Sequence, residues 1–220
     1  MTMALRWVDL SQPIYEGMPH GHVVPGPTLK SLQTSASADF SMMEYRGGTH
    51  LGTHVDAPVH FVPGGKTIDQ LSLDRFAGEG IVVPIARPGK EGFSVADVER
   101  TGLEIRAGDI LLFKTGWGAK WGEQDYHLHP YLEEELARWL VERGAKMVGV
   151  DFVTPDMPFP LRGKDFAYPI HRTLLGAEVL IIENLNLTPL APGRYLVQAF
   201  PMPLRGADAA PARVSAMLRE

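Results

Sequence analysis

Apolar positions along this chain fall into short runs broken by glycine, proline or charge, and most of them have the length of strands rather than helices. Residues 40–45, 80–85, 109–113, 146–150, 179–183 and 195–200 read as six strands. Helical spacing is rarer. Ser94 stands as an N-cap ahead of a helix over 95–100. Tyr131, Leu132, Leu136, Trp139 and Leu140 recur at helical spacing within 130–143, and Gly144 follows in a C-cap position. A third helix is expected over 170–175, ending at Gly176. Strands and helices interleaved in this way predict a mixed α/β fold. Neither a repeat nor a linker divides the 220 residues, so 1–220 is expected to form a single domain.

One segment carries chemistry rather than pattern: His50-Leu-Gly-Thr-His54-Val-Asp56-Ala-Pro-Val-His60. Its three histidines and one carboxylate are evenly spaced, so an extended backbone projects all four to one face. Gly52 and Pro58 suggest an irregular extended segment. Imidazoles and a carboxylate converging from one side suit a borderline divalent cation such as zinc or manganese. A second pair lies downstream, where the helix bearing His171 feeds through Gly176 into an apolar strand that ends at Glu183. These two can complete one or two coordination shells.

Composition narrows the field. A net charge of −5 without a long basic run argues against nucleic acid and anionic membranes as partners. Met1-Thr-Met-Ala-Leu-Arg-Trp7 lacks an apolar signal core, and a cytoplasmic location is expected. With no cysteine, any metal must be held by His, Asp and Glu, and a thiol mechanism is excluded. No Gly-x-Ser-x-Gly elbow occurs, which leaves metal-activated water. Pro63-Gly64-Gly65-Lys66-Thr67 is not a phosphate-binding loop, because His60 stands where that motif needs its first glycine. His127 and His129 precede a helix and are expected to face solvent, and Trp117, Trp121 and Phe152 to be core or pocket wall.

The eleven-residue segment resembles the signature of the cyclase superfamily of metal-dependent hydrolases, which includes bacterial kynurenine formamidases and isatin hydrolases. Asp9-Leu-Ser-Gln-Pro-Ile-Tyr-Glu-Gly-Met-Pro19, Gly149-Val-Asp151, the His171–Glu183 separation and Gly206-Ala-Asp208-x-x-Pro211-x-Arg213 are similar to its other motifs. The resemblance implies a swivelling β/β/α-type mixed sheet with flanking helices, assembled as a homodimer or larger. It implies His50, His54 and Asp56 on a first metal, with Asp56 bridging to a second held by His171 and Glu183, and His60 as general acid/base. Zinc is the expected ion, up to two per chain, with manganese the alternative. The implied activity is hydrolysis of a C–N bond in a small amide, formamide or cyclic amide. That is arylformamidase chemistry of tryptophan catabolism, with lactam opening of the isatin hydrolase kind, or lactone hydrolysis, as the alternative.

The chain departs from formamidases in two places. No tryptophan follows Met18-Pro19, where His20 and His22 stand instead, and Asn184 replaces the glycine after the distal ligand. His20, His22, Phe61 and Arg213 are candidates for substrate contact, Arg213 for a carboxylate. Asp151 is a candidate for orienting a ligand histidine. The apolar positions Leu132, Leu136 and Leu140 are a candidate subunit contact or simply core. A non-haem iron oxygenase could use His54, Asp56 and His171, but would leave His50, His60 and Glu183 superfluous. A metal-stabilised binding protein would not need His60.

Overall fold

The computed structural model describes residues 5–21 and 24–219. Twelve strands and three α-helices are present among them: β1 Leu5–Asp9, β2 Thr28–Gln33, β3 Met42–Arg46, β4 His54–Asp56, β5 Ala77–Pro84, β6 Gly92–Phe93, α1 Val95–Glu99, β7 Ile110–Lys114, β8 Tyr131–Leu132, α2 Glu134–Glu142, β9 Met147–Val150, α3 Pro169–Gly176, β10 Leu180–Glu183, β11 Gly193–Pro201 and β12 Ala209–Arg219. Eight strands form one mixed sheet in the order β1-β12-β11-β5-β7-β9-β10-β4. A further pairing of β12 with β4 closes it into a ring. Within this sheet the four strands β5, β7, β9 and β10 run parallel, and its other pairings are antiparallel.

Side-chain alternation divides the apolar residues into two cores. Val55, Val82, Ile110, Leu112, Met147, Ile182, Val197 and Val214 pack together inside the ring. Ile81, Leu111, Phe113, Val148, Val150 and Ile181 point outward, where α2 and α3 cover them. Strands buried on both faces read as continuous apolar runs, which is why β5, β7, β9 and β10 are recognisable. Asp97 accepts from the backbone N–H and hydroxyl of Ser94 and starts α1. Gly144, at φ +71°, ends α2 in the left-handed turn predicted for it.

Two expectations need correction, and one open choice is decided. Residues 131–132 are not helical. They pair with Gly92–Phe93, and α2 begins only at Glu134. Leu132, Leu136 and Leu140 are fully buried in the outer core. Each is worth about 1.5–3 kcal/mol to the fold, so they do not form a free subunit contact. His129 does not face solvent: it is 1% exposed and stacks on Phe152 at 5.3 Å. His127 is half-buried, edge-on to Tyr126.

His129 has a consequence for acid stability. Its Nδ1 donates to the Pro130 carbonyl at 2.7 Å, and burial draws its pKa from 6.5 down to about 4. The unfolded chain takes up a proton near 6.5 and the folded chain only near 4, so acid favours unfolding between those values. Urea unfolding should therefore show about 3 kcal/mol of stability lost between pH 6.5 and pH 4 that a His129→Gln variant does not lose. Parallel pH profiles for the two proteins would contradict this. Among the described residues no helix is long and apolar enough to cross a membrane.

Candidate metal centre and active site

Strand register builds the site. In the β4–β10 pairing Glu183 lies opposite His54, and Ile181 opposite Asp56. Val55 and Ile182 turn into the ring, so His54, Asp56 and Glu183 face outward. There α3 presents the buried His171. His50 precedes β4, and His60 ends the single 3-10 turn Pro58–His60 that follows it. All six predicted residues therefore converge.

The distances are short. His50 Nδ1 is 3.0 Å from Asp56 Oδ1, and His54 Nε2 is 3.4 Å from the same oxygen and 3.2 Å from Glu183 Oε2. His171 Nε2 is 3.5 Å from Asp56 Oδ2 and 3.3 Å from Glu183 Oε1. Ligand atoms of His50, His54 and Asp56 lie within 4.8 Å of one another, as do those of Asp56, His60 and His171.

The donor set fits a divalent cation. His54 Nε2, both Asp56 oxygens and Glu183 Oε1 are buried without a hydrogen-bond partner. Orphaned buried polar atoms are uncommon in folded proteins, and a cation would satisfy all four at once. His54 Nδ1 donates to the Gly52 carbonyl at 2.9 Å, and His171 Nδ1 donates to Asp156 Oδ2 at 2.5 Å. Each bond fixes the tautomer whose Nε2 lone pair faces the centre. Gly52 holds φ +61°, a left-handed conformation that turns its carbonyl to this task at no steric cost.

Charge points the same way. Burial opposes an imidazolium at His50, but Asp56 and Asp208 outweigh it and push its pKa up to about 10. Burial likewise opposes ionisation of Asp56, yet the surrounding histidines hold its pKa well below 3.8. His171 is raised well above 6.5 against burial, by Asp156, Asp56 and Glu183. Protons on histidines thus neutralise two buried carboxylates. A divalent cation supplies the same charge and displaces those protons.

Asp156 was not foreseen. Its carboxylate accepts from the Ile170 and His171 N–H groups at the first turn of α3 as well as from the His171 ring. Asp156→Asn removes the charge that orients His171. It should weaken metal affinity or turnover about 10–100-fold, read by competition with a chromogenic chelator. Wild-type affinity and rate in the variant would show that the contact is dispensable.

A cavity of about 190 Å³ is lined at this centre by His50, His54, His60, His171 and Glu183. Phe61 and His20 line it, as do Tyr168, Arg162, Val153 and Asn184. His22 lies outside the described residues. Two placements differ from expectation. Arg213 sits on β12 with its side chain 80% exposed and pairs with Asp9 at 2.7 Å, away from this cavity. Asp151 orients no histidine. It accepts from Thr115 and Gly116 N–H at 2.9–3.1 Å and shapes the turn after β7. Asp208, quoted within the C-terminal motif but not assigned a role, lies 3.0 Å from His50 Nε2 and 3.3 Å from His60 Nδ1.

Comparison with known proteins fits this geometry. A family profile named Cyclase, described as "Putative cyclase", matches residues 8–157. A kynurenine formamidase of Geobacillus thermodenitrificans is 32% identical over 215 residues, covering 95% of this chain and 96% of the relative. The chain belongs to the Cyclase family. Isatin hydrolase A from Ralstonia solanacearum superposes with a TM-score of 0.88 at 25% identity, covering 98% of this chain and 92% of the other. A structure described as a potential metal-dependent hydrolase with cyclase activity gives 0.81 at 32% identity, covering 99% and 100%. The Cyclase profile ends before His171 and Glu183, whereas the formamidase alignment spans nearly the whole chain.

Two cavity residues of this Cyclase-family chain hold left-handed backbone without being glycine: Tyr168 at φ +52° and Asn184 at φ +57°. For a bulky residue such as tyrosine this conformation is an outlier and costs on the order of 1–3 kcal/mol. Asn184 offsets its strain with bonds. Its Nδ2 donates to the Gly52 carbonyl at 3.0 Å, and its Oδ1 accepts from the buried Tyr126 hydroxyl at 3.0 Å. The Gly52 carbonyl that orients His54 is thereby held from two sides.

Proposed function

We propose that this chain is a metal-dependent hydrolase that cleaves the carbon–nitrogen bond of a small aryl amide or formamide. The carrying observation is the set of orphaned ligand atoms on His54, Asp56 and Glu183, of which His54 and Glu183 line a cavity walled by aromatic rings. His50, His54 and Asp56 would hold one cation, and Asp56, His171 and Glu183 a second. Zinc is the ion this nitrogen and oxygen set suits best, with manganese the alternative. When bound, a divalent cation supplies Lewis acidity, making water a usable nucleophile near neutral pH and polarising the scissile carbonyl.

The chain's own groups do the rest. His60 Nδ1 faces Asp208 Oδ2, which leaves Nε2 to exchange protons. Burial draws the His60 pKa below 6.5, with Asp56 opposing, so the neutral base is its resting form at pH 7. Nε2 takes a proton as the water oxygen bonds to the carbonyl carbon, and returns it to the nitrogen as the C–N bond breaks. Phe61 contacts His60 at 4.5 Å and Tyr168 at 5.1 Å, a wall against which a planar substrate stacks.

Lactam opening is the second reading, supported by the close superposition on isatin hydrolase A and by Asn184 where formamidases carry glycine. Assay of metal-loaded protein against N-formylkynurenine, isatin and a cyclic ester tests both. Turnover of an amide is expected, and turnover of none would defeat the proposal.

Assembly is supported by the hairpin β2–β3, which among the described residues pairs only with itself and exposes Leu32, Met42, Met43 and Tyr45. A lone two-stranded ribbon is marginal in water, so a second copy covering it is the expected arrangement. Light scattering at micromolar concentration should give at least twice the 24.2 kDa of one chain, and a monomer mass would contradict it.

A further inference from the structure

Among the described residues lining the cavity, Arg162 is the one lysine or arginine. Its guanidinium is fixed before any ligand arrives. Nε donates to the Met157 carbonyl at 2.6 Å, and the group lies over Phe159 at 3.9 Å, Phe166 at 4.8 Å and Tyr168 at 4.9 Å. Nη1 and Nη2 are buried, and neither meets an acceptor in good hydrogen-bond geometry, although the Tyr168 hydroxyl and the Asp156 carboxylate act on the group from nearby. A purely structural arginine would spend these donors on the protein, because an unmet buried donor on a charged group is costly. Burial does act against the charge, drawing the pKa below the ordinary arginine value, with Asp156 and Tyr168 opposing. The guanidinium nevertheless stays protonated in proteins.

We propose that Arg162 receives a carboxylate of the substrate, so that the pocket selects anionic aryl amides over neutral ones. A planar fork with two unmet terminal nitrogens matches a carboxylate in bidentate fashion, and the three rings hold that fork in place. Ring contacts connect the receptor to the reacting end: Arg162 lies over Tyr168, Tyr168 packs on Phe61, and Phe61 packs on His60. A substrate lying along this wall puts its carboxylate at Arg162 and its amide carbonyl beside His60. This is the role that sequence reading gave to Arg213, which the fold places elsewhere.

The inference rests on the hydrolase reading of the cavity, and the test separates the two. The probes are 2-formamidobenzoate and its neutral counterpart formanilide, with metal-loaded wild type, Arg162→Gln and Arg162→Lys. Wild type should prefer the anion. Arg162→Gln should lose on the order of 10–100-fold in kcat/KM for the anion, chiefly through KM, and far less for formanilide. Arg162→Lys, which keeps the charge without the fork, should fall between. Equal losses on both probes, or no wild-type preference, would overturn the proposal. If wild type hydrolyses neither, the hydrolase reading fails and calorimetry with benzoate and benzamide decides. Benzoate binding tighter in wild type than in either variant, with benzamide indifferent, sustains Arg162 as a carboxylate receptor. Indistinguishable affinities remove it. Should Arg162→Gln not fold, the wild-type contrast and Arg162→Lys decide the same question.

Discussion

His60→Ala should lower kcat/KM by about 10²–10⁴-fold while the metal content by elemental analysis stays at the wild-type value. The reasoning turns on where His60 stands. Its ring lines the cavity beside that of His50, at a centroid distance of 4.2 Å, with Asp208 3.3 Å from its Nδ1. Its imidazole also lies near enough to Asp56 and His171 to serve as a ligand. Metal content separates those roles. A base leaves the cation in place when it is removed, and a ligand does not. Loss of metal together with activity would reassign His60 to the coordination sphere. Undiminished turnover would remove it from the mechanism, and would favour a binding protein that needs no proton shuttle.

Asp56→Asn should abolish turnover and strip the protein of bound metal. Asp56 is fully buried, both of its oxygens lack a hydrogen-bond partner, and three histidines from two separate segments converge on it. No other carboxylate in the site faces His50, His54 and His171 together. A cation bound to the folded state alone stabilises by mass action, by about 4 kcal/mol at a free concentration 1,000 times its dissociation constant. Wild type should therefore melt at a lower temperature once a chelator is added, whereas Asp56→Asn should melt at the same temperature with or without it. Equal chelator sensitivity of the two proteins would place the metal elsewhere.

Legibility in the sequence followed the physics of each element. Strands β5, β7, β9 and β10 were readable because both their faces are buried, which writes an unbroken apolar run. β12, the longest strand, was missed. Its inward positions Ala210, Ala212 and Ala216 are small, and Pro211 interrupts the run, so nothing in its composition announces a strand. Strand β1 was missed as well, because it is exposed and, among the described residues, pairs only with β12. The six convergent residues were legible since even spacing and a ligand-type alphabet survive in one dimension. Asp156 and Arg162 were not, because their significance lies in what surrounds them: one ring nitrogen at 2.5 Å, and two terminal nitrogens without a well-placed acceptor. His129 was misplaced for the same reason, since stacking on Phe152 is a tertiary fact.

The closure of the ring by β12 ties competence to completeness. β4 is gripped on one side by β10 and on the other by residues 209–211, and Asp208 meets His50 across 158 positions of sequence. Bringing such distant segments together is entropically slow, so this seam belongs among the late events of folding. Until it forms, β4 has a free edge and His50 and His60 lack their shared carboxylate. A partly folded chain therefore holds fragments of the ligand set without the arrangement that makes them reactive, and a chain cut before Asp208 never acquires it. The seam that joins the chain's most distant parts is also the one that arms the enzyme.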